Sequence, residues 1–155
     1  MLLSIDTFKN IIEHAPLISI DLVVENRDGE VLLGLRNNRP AQGYWFVPGG
    51  RILKDETMAD AFKRLTQAEL GVELEHAQAE FIGPFEHFYE DNVTGVDVST
   101  HYIALGYRIM VGQLSQLPNE QHCEYRWMSV DELLADSNVH KHSKWYFEKS
   151  KNRKY

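Results

Sequence analysis

Residues 49–72, GGRILKDETMADAFKRLTQAELGV, limit the fold more than any other part of the chain. Pro48 and two glycines end the strand-like segment YWFVPGGR, where a turn able to face a phosphate can start, and a run with few helix breakers follows from Thr57 to Leu70. Asp55 stands before that run as a start signal and Gly71 after it as a stop. Met58, Ala61, Phe62, Leu65 and Ala68 recur at three- and four-residue steps, so the run predicts an amphipathic helix with one face to bury. Glu69 borders that stripe, seven residues after Phe62 and four after Leu65, so its carboxylate can point inward. A solvated glutamate at the helix end is the alternative.

The rest of the chain supplies what such a helix needs to lie on. From Ser4 to His14, Ile5, Phe8, Ile11 and Ile12 keep helical spacing, with Ser4 as N-cap and Pro16 as breaker. LISIDLVVEN and EVLLGLR flank the turn Arg27-Asp28-Gly29 and read as a hairpin whose first strand is interrupted by Asp21. EFIGPFEHFYE and THYIALGYRIMV flank DNVTGVDVS and predict two antiparallel strands, with Pro84 kinking the first or placing it at a sheet edge. EYRWMSV predicts a last strand, DELLA a short helix, and NVHKHSKWYFEK a final helix capped by Asn138, before an exposed tail, KNRKY. The pattern has no strand–helix alternation, repeat or linker. It predicts one domain over residues 1–155 with a mixed sheet covered by helices.

Composition restricts the function. The formal net charge of −7 argues against a broad nucleic-acid footprint, which needs clustered cations along a phosphate backbone. A small phosphorylated ligand needs only a few, and Arg36, Arg39 and Arg51 surround the aromatic loop that carries Tyr44, Trp45 and Phe46. These arginines can equally be solvated. The three rings suit either core packing or a base stack. Cys123 is the only cysteine, which excludes an intrachain disulfide and a cysteine zinc cage. No apolar run approaches the ~18 residues of a membrane span, and MLLSIDTFKN lacks the order of a signal peptide, so a cytoplasmic protein without membrane contact is expected.

Gly50, Glu56, Arg64, Glu69, Gly71 and Val72 match the Nudix box in register, and the chain resembles the Nudix hydrolases at these positions. Leu65 and Ala68 stand where that family has two further glutamates. With those departures the segment RLTQAELG resembles the GDP-mannose mannosyl hydrolase subfamily, which breaks a carbon–oxygen bond. NRPAQGYWFVPGGR, SIDLVVEN, FEHFYEDN, THYIALGYR and NEQHCEYRW extend the likeness from about Pro16 to Asn138. The resemblance implies an α+β fold, a Nudix-like α/β/α sandwich whose mixed β-sheet is flanked by helices.

It also implies roles for individual residues. The Gly49 carbonyl, Glu69 and Gln121 would bind one Mg2+, all three being oxygen donors suited to that ion. Arg36 and Arg51 would face the charge developing on departing GDP, with Tyr102 adding a hydrogen bond. His122 would act as general base, Asp21 and His87 would orient or stabilise the reacting groups, and Arg64 would support the acidic residues from behind. Read without the resemblance, His122 also suits a surface loop, and Asp21 also suits a solvent-facing strand position. His140 and His142 receive no role. The implied activity is hydrolysis of GDP-mannose, or of another GDP-hexose, to GDP and free sugar by a homodimer. The rivals are an ordinary pyrophosphohydrolase attacking phosphorus and a non-catalytic nucleotide-binding module.

Overall fold

The computed structural model describes residues 3–114, 117–118 and 122–148. In chain order its main elements are α1 (Ile5–His14), β1 (Leu17–Glu25), β2 (Val31–Arg36), β3 (Trp45–Phe46), β4 (Gly49–Arg51), α2 (Met58–Leu70), β5 (Glu80–Tyr89), β6 (Thr100–Met110), β7 (His122–Met128), α3 (Val130–Ala135) and α4 (Lys141–Lys144). The sheet runs β3-β2-β1-β6-β5, with β4 added to β1 and β7 to β2. β1 is parallel to β6 and antiparallel to β2 and β4, so the sheet is mixed.

Side-chain alternation along β1 divides the core in two. Ile20, Leu22 and Val24 meet Phe62, Leu65 and Leu70 of α2 on one face. Val23 turns to the other face, among Phe85, Leu133 of α3 and Tyr146 just after α4. Each fully buried side chain of this kind contributes roughly 1.5–3 kcal/mol over leaving it exposed. Helices on both faces give the α/β/α sandwich expected above.

The hairpin of β1 and β2 forms, but its strands pair only at Glu25↔Val31. Further along, the Leu22 amide donates to the Pro48 carbonyl at 2.8 Å. β4 then takes over the edge of β1 and sets Gly49 opposite Asp21. YWFVPGGR is therefore two short strands, since Pro48 has no amide proton to continue a ladder. Pro84 lies in β5, at the end of the sheet order, the edge placement its missing donor favours.

Two helix ends differ from the sequence reading. α2 is capped by Thr57, whose side chain accepts from the Asp60 amide, while Asp55 adopts a left-handed φ of 65° in the preceding loop. The final helix is short and is capped by His140, not Asn138. The Asn138 carbonyl instead accepts from the Trp45 amide at 2.9 Å, and the His140 amide donates to the Trp45 carbonyl at 3.0 Å. Val139 bridges Trp45 in parallel, so the segment before the helix is held along the edge of β3. No helix among the described residues is long and apolar enough to cross a membrane.

Candidate functional site

The box helix is tied to its own loop by a charged fork. Arg64 Nε donates to Glu56 Oε2 at 2.7 Å and Arg64 Nη2 to Glu56 Oε1 at 2.9 Å. The same Nη2 donates to the Arg51 carbonyl at 2.9 Å, and the Leu53 amide donates to Glu56 Oε1 at 3.0 Å. The Arg64 hydrogen bond is the main reason the Glu56 carboxyl lies below its ordinary range. Arg64 thus supports the loop that carries Gly49 and Arg51, and its acidic partner is Glu56.

Of the two positions at which the box departs, Leu65 is explained by packing. A Cβ on Gly50 would lie 2.4 Å from Leu65 Cδ2, so the leucine fills the space against the glycine turn. Ala68 is exposed, whereas Glu69 is only 2% exposed. α2 therefore brings one carboxylate of its last turn into the interior. The Gly49 backbone lies equally close to β1, for a Cβ there would meet the Ile20 carbonyl oxygen at 2.4 Å and Asp21 Oδ1 at 2.6 Å.

Asp21 projects toward the α4 side of the sheet, where the Tyr146 hydroxyl donates to its Oδ2 at 2.7 Å. Burial pushes the Asp21 carboxyl up to about 6, against the opposing effects of the Tyr146 hydrogen bond and the Arg36 charge. The Glu69 charge adds to the rise, which puts the two carboxylates in one electrostatic neighbourhood. Tyr102 shares it. Its hydroxyl is raised first by burial, while Arg36 and Arg51 pull it down and Asp21 pushes it up. The Arg36 guanidinium lies over the Phe46 ring at 5.5 Å, and that of Arg51 over Phe8 at 4.7 Å. Asp21, Glu69, Arg36, Arg51 and Tyr102 are thus brought together from β1, α2, β2, β4 and β6.

His87 closes the α4 side. It is 3% exposed, and its Nδ1 lies 4.0 Å from Asp21 Oδ2, beyond hydrogen-bond range. Its ring stacks on His142 with centroids 4.4 Å apart and planes within 4°. Burial, then the neighbouring His140, depress its pKa to about 3, so its ring is neutral at neutral pH. His142 is depressed to about 2 and His140 to about 4, both mainly by burial. His87 Nε2 and His142 Nδ1 are buried without a hydrogen-bond partner. The sequence reading gave no part to His140, His142, Tyr89 or Tyr146, yet all of them line this side. The only local signal was the density of histidine and aromatic residues in VHKHSKWYF.

His122 opens β7 with its backbone in register with Arg36, and Gln121 lies outside the described residues. Trp45 and Phe46 are buried in the core at 7% and 6% exposure, while Tyr44 is exposed. Arg39 is engaged by Asp91 at 3.4 Å.

Among the described residues no three His, Cys, Asp or Glu side chains form a metal-binding group. That leaves a buried carboxylate and a backbone oxygen. Such a set fits magnesium, which accepts one or two protein oxygens when water and substrate phosphate complete its shell.

The sequence profile of the NUDIX domain matches residues 15–148. The chain is 40% identical over 122 residues to the low-salt glycan biosynthesis protein Agl8 of Haloferax volcanii, covering 78% of this chain and 76% of that protein. Among solved structures it is similar to a MutT protein from Methanosarcina mazei, with TM-score 0.69, 23% identity, and coverage of 86% of this chain and 92% of that one. It is also similar to a MutT NUDIX hydrolase from Burkholderia pseudomallei, with TM-score 0.68, 24% identity, and coverage of 86% and 96%.

Proposed function

The chain belongs to the NUDIX-domain family of hydrolases, which generally use divalent cations such as Mg2+, and we propose that within it this protein hydrolyses GDP-mannose or another GDP-hexose to GDP and free sugar. One observation carries this reading: the helix that ordinarily gathers several carboxylates contributes only Glu69 to the interior. Leu65 is buried in the core against Gly50, and Ala68 is turned to solvent. A single carboxylate suits a reaction in which the diphosphate leaves, and suits poorly one in which several ions activate water against phosphorus. The glycan-biosynthesis name of the Haloferax relative supports a sugar-bearing substrate.

Glu69 and the Gly49 carbonyl, with Gln121, would hold Mg2+, which when bound supplies positive charge to the departing diphosphate. Arg36 and Arg51 add theirs, and Tyr102 donates a hydrogen bond to the same oxygens. Water attacks the anomeric carbon from the opposite face. Its proton passes to the imidazole of His122, the bond from C1 to the phosphate oxygen breaks, and that electron pair leaves with GDP. Inversion at C1 follows. No general acid is required, because the leaving group is already acidic. Asp21, set beside Arg36, opposes the positive charge that develops on the sugar. His87 stays neutral beside it and so does not cancel that charge.

Hydrolysis in heavy-oxygen water tests the reading directly. The label is expected in the sugar and not in GDP. Label in a phosphate product would establish the ordinary pyrophosphohydrolase instead, and binding without turnover would establish a nucleotide-binding module.

A further inference from the structure

Asp21 is flanked by two glycines, Gly49 on β4 and Gly106 on β6, which are its partners across the neighbouring strands. Neither has a left-handed φ, so what each supplies is close approach. A Cβ on Gly49 would lie 2.6 Å from Asp21 Oδ1, and a Cβ on Gly106 would lie 2.6 Å from Tyr146 Cε1. The first glycine lets the carboxylate lie against the β4 backbone. The second lets the Tyr146 ring lie against β6 and reach Asp21 Oδ2 with its hydroxyl at 2.7 Å. Tyr146 is fully buried, and its ring meets Phe85 edge-on at 4.6 Å. Ser143, three residues earlier, is 1% exposed, and its Oγ accepts from the Val47 amide at 3.0 Å. Val47 leads through Pro48 to Gly49, so the turn from Ser143 to Tyr146 braces both backbones that meet at Asp21 and Gly49. Burial, then the Asp21 charge, hold the Tyr146 hydroxyl well above its ordinary range, so it keeps its proton and donates.

We propose that Tyr146 is a positioning residue for the reaction, its hydrogen bond to Oδ2 fixing the orientation in which Asp21 faces the reacting sugar. The proposal rests on the GDP-hexose reading above, in which Asp21 opposes the positive charge that develops there. The terminal torsion of a free aspartate is broad, so without a donor on Oδ2 the carboxylate can turn and its two oxygens exchange places. With the donor, Oδ2 stays on the α4 side and Oδ1 stays against Gly49. His87 does not substitute, because its Nδ1 lies 4.0 Å from Oδ2. Tyr146 is fully buried and does not meet the sugar itself, so its effect passes through Asp21.

The test compares the wild-type chain with Tyr146→Phe, which keeps the buried ring, and with Asp21→Asn. Steady-state hydrolysis of GDP-mannose, GDP-glucose and GDP-fucose is measured with Mg2+, and GDP binding with Mg2+ is measured by calorimetry. Tyr146→Phe is expected to lose about tenfold to hundredfold in kcat, while KM and the GDP dissociation constant stay within about twofold. Asp21→Asn is expected to lose at least as much. Gly106→Ala, which displaces the ring but keeps the hydroxyl, should lower kcat in the wild-type background and change it by less than about twofold in the Tyr146→Phe background. A Tyr146→Phe kcat within about twofold of wild type overturns the role, as does a loss larger than that of Asp21→Asn. A lower melting temperature with KM raised as much as kcat falls would show that Tyr146 only packs, and overturns it as well. Each of these results leaves the activity standing. If the wild-type chain frees no hexose from any of the three substrates, the activity and the role fall together.

Discussion

The two faces of the sheet meet at the pair Asp21 and Gly49, and they handle polar groups in opposite ways. On the α2 face, charge is kept and paired: Arg64 grips Glu56 with two hydrogen bonds of 2.7 and 2.9 Å. On the α4 face, positive charge is kept away from Asp21: His87, His142 and His140 are all held neutral by burial, and Tyr146 donates to Asp21 without carrying charge. The difference follows from where each face must act. The first supports a carboxylate that can hold a cation. In the GDP-hexose reading proposed above, the second would line the space beside the reacting carbon, where a further positive charge would disfavour a positive transition state.

The strongest way to break this contrast is Glu69→Gln, which preserves size and burial while removing the charge. The expected result is a fall in kcat/KM for GDP-mannose with Mg2+ of roughly 100-fold or more, with a melting temperature close to that of the wild type. Activity within about twofold of wild type would mean that the α2 face contributes packing alone.

The α4 face is sharpened by His142→Phe, which retains a ring against His87. Both histidines have folded pKa values depressed from 6.5, to about 3 and about 2. The unfolded chain therefore takes up protons below its own value while the folded chain does not. The stability they contribute is complete above 6.5 and is lost as pH falls toward their folded values. Each costs about 1.4 kcal/mol per pH unit in that window. Urea unfolding at about pH 7.5 and about pH 5 should show a shallower acid loss in the variant, by roughly 2 kcal/mol. Equal losses in both proteins would show that His142 takes up protons in the folded state.

The same two faces differ in how far the sequence revealed them. The α2 face is local: Gly50, Glu56, Arg64 and Glu69 follow one another at fixed spacing along a strand, loop and helix, so their register could be read directly. Leu65 and Ala68 could also be read as departures, and the burial of Leu65 now has a packing reason. The α4 face is assembled across the chain. Tyr146 reaches Asp21 over 125 positions, and no period or cap links them. Asn138 carries the stronger capping signal, but the open edge of β3 captured its segment and moved the helix start to His140. Local chemistry was outweighed there by a backbone pairing that only the folded sheet offers. Asp21 lies between these cases, legible as an oddity in an apolar strand while its partner was not.

The smallest expected effect concerns the fork itself. Arg64 is 38% exposed and Glu56 14%, so water screens the pair and its coupling is modest despite good geometry. A double-mutant cycle of Glu56→Gln and Arg64→Met should give a coupling of about 0.5–1 kcal/mol at pH 7. Glu56 is depressed below its ordinary value of 4.5, chiefly by Arg64, so this stability is present above that value and lost as pH falls through the folded one. The coupling measured near pH 4 should accordingly be smaller than at pH 7. Because Arg64 also holds the Arg51 carbonyl, the Met variant should raise KM for the nucleotide sugar more than it lowers the melting temperature would suggest. A coupling of zero at pH 7 would leave the α2 face no more dependent on paired charge than its opposite, and the contrast between the faces would then rest on Glu69 alone.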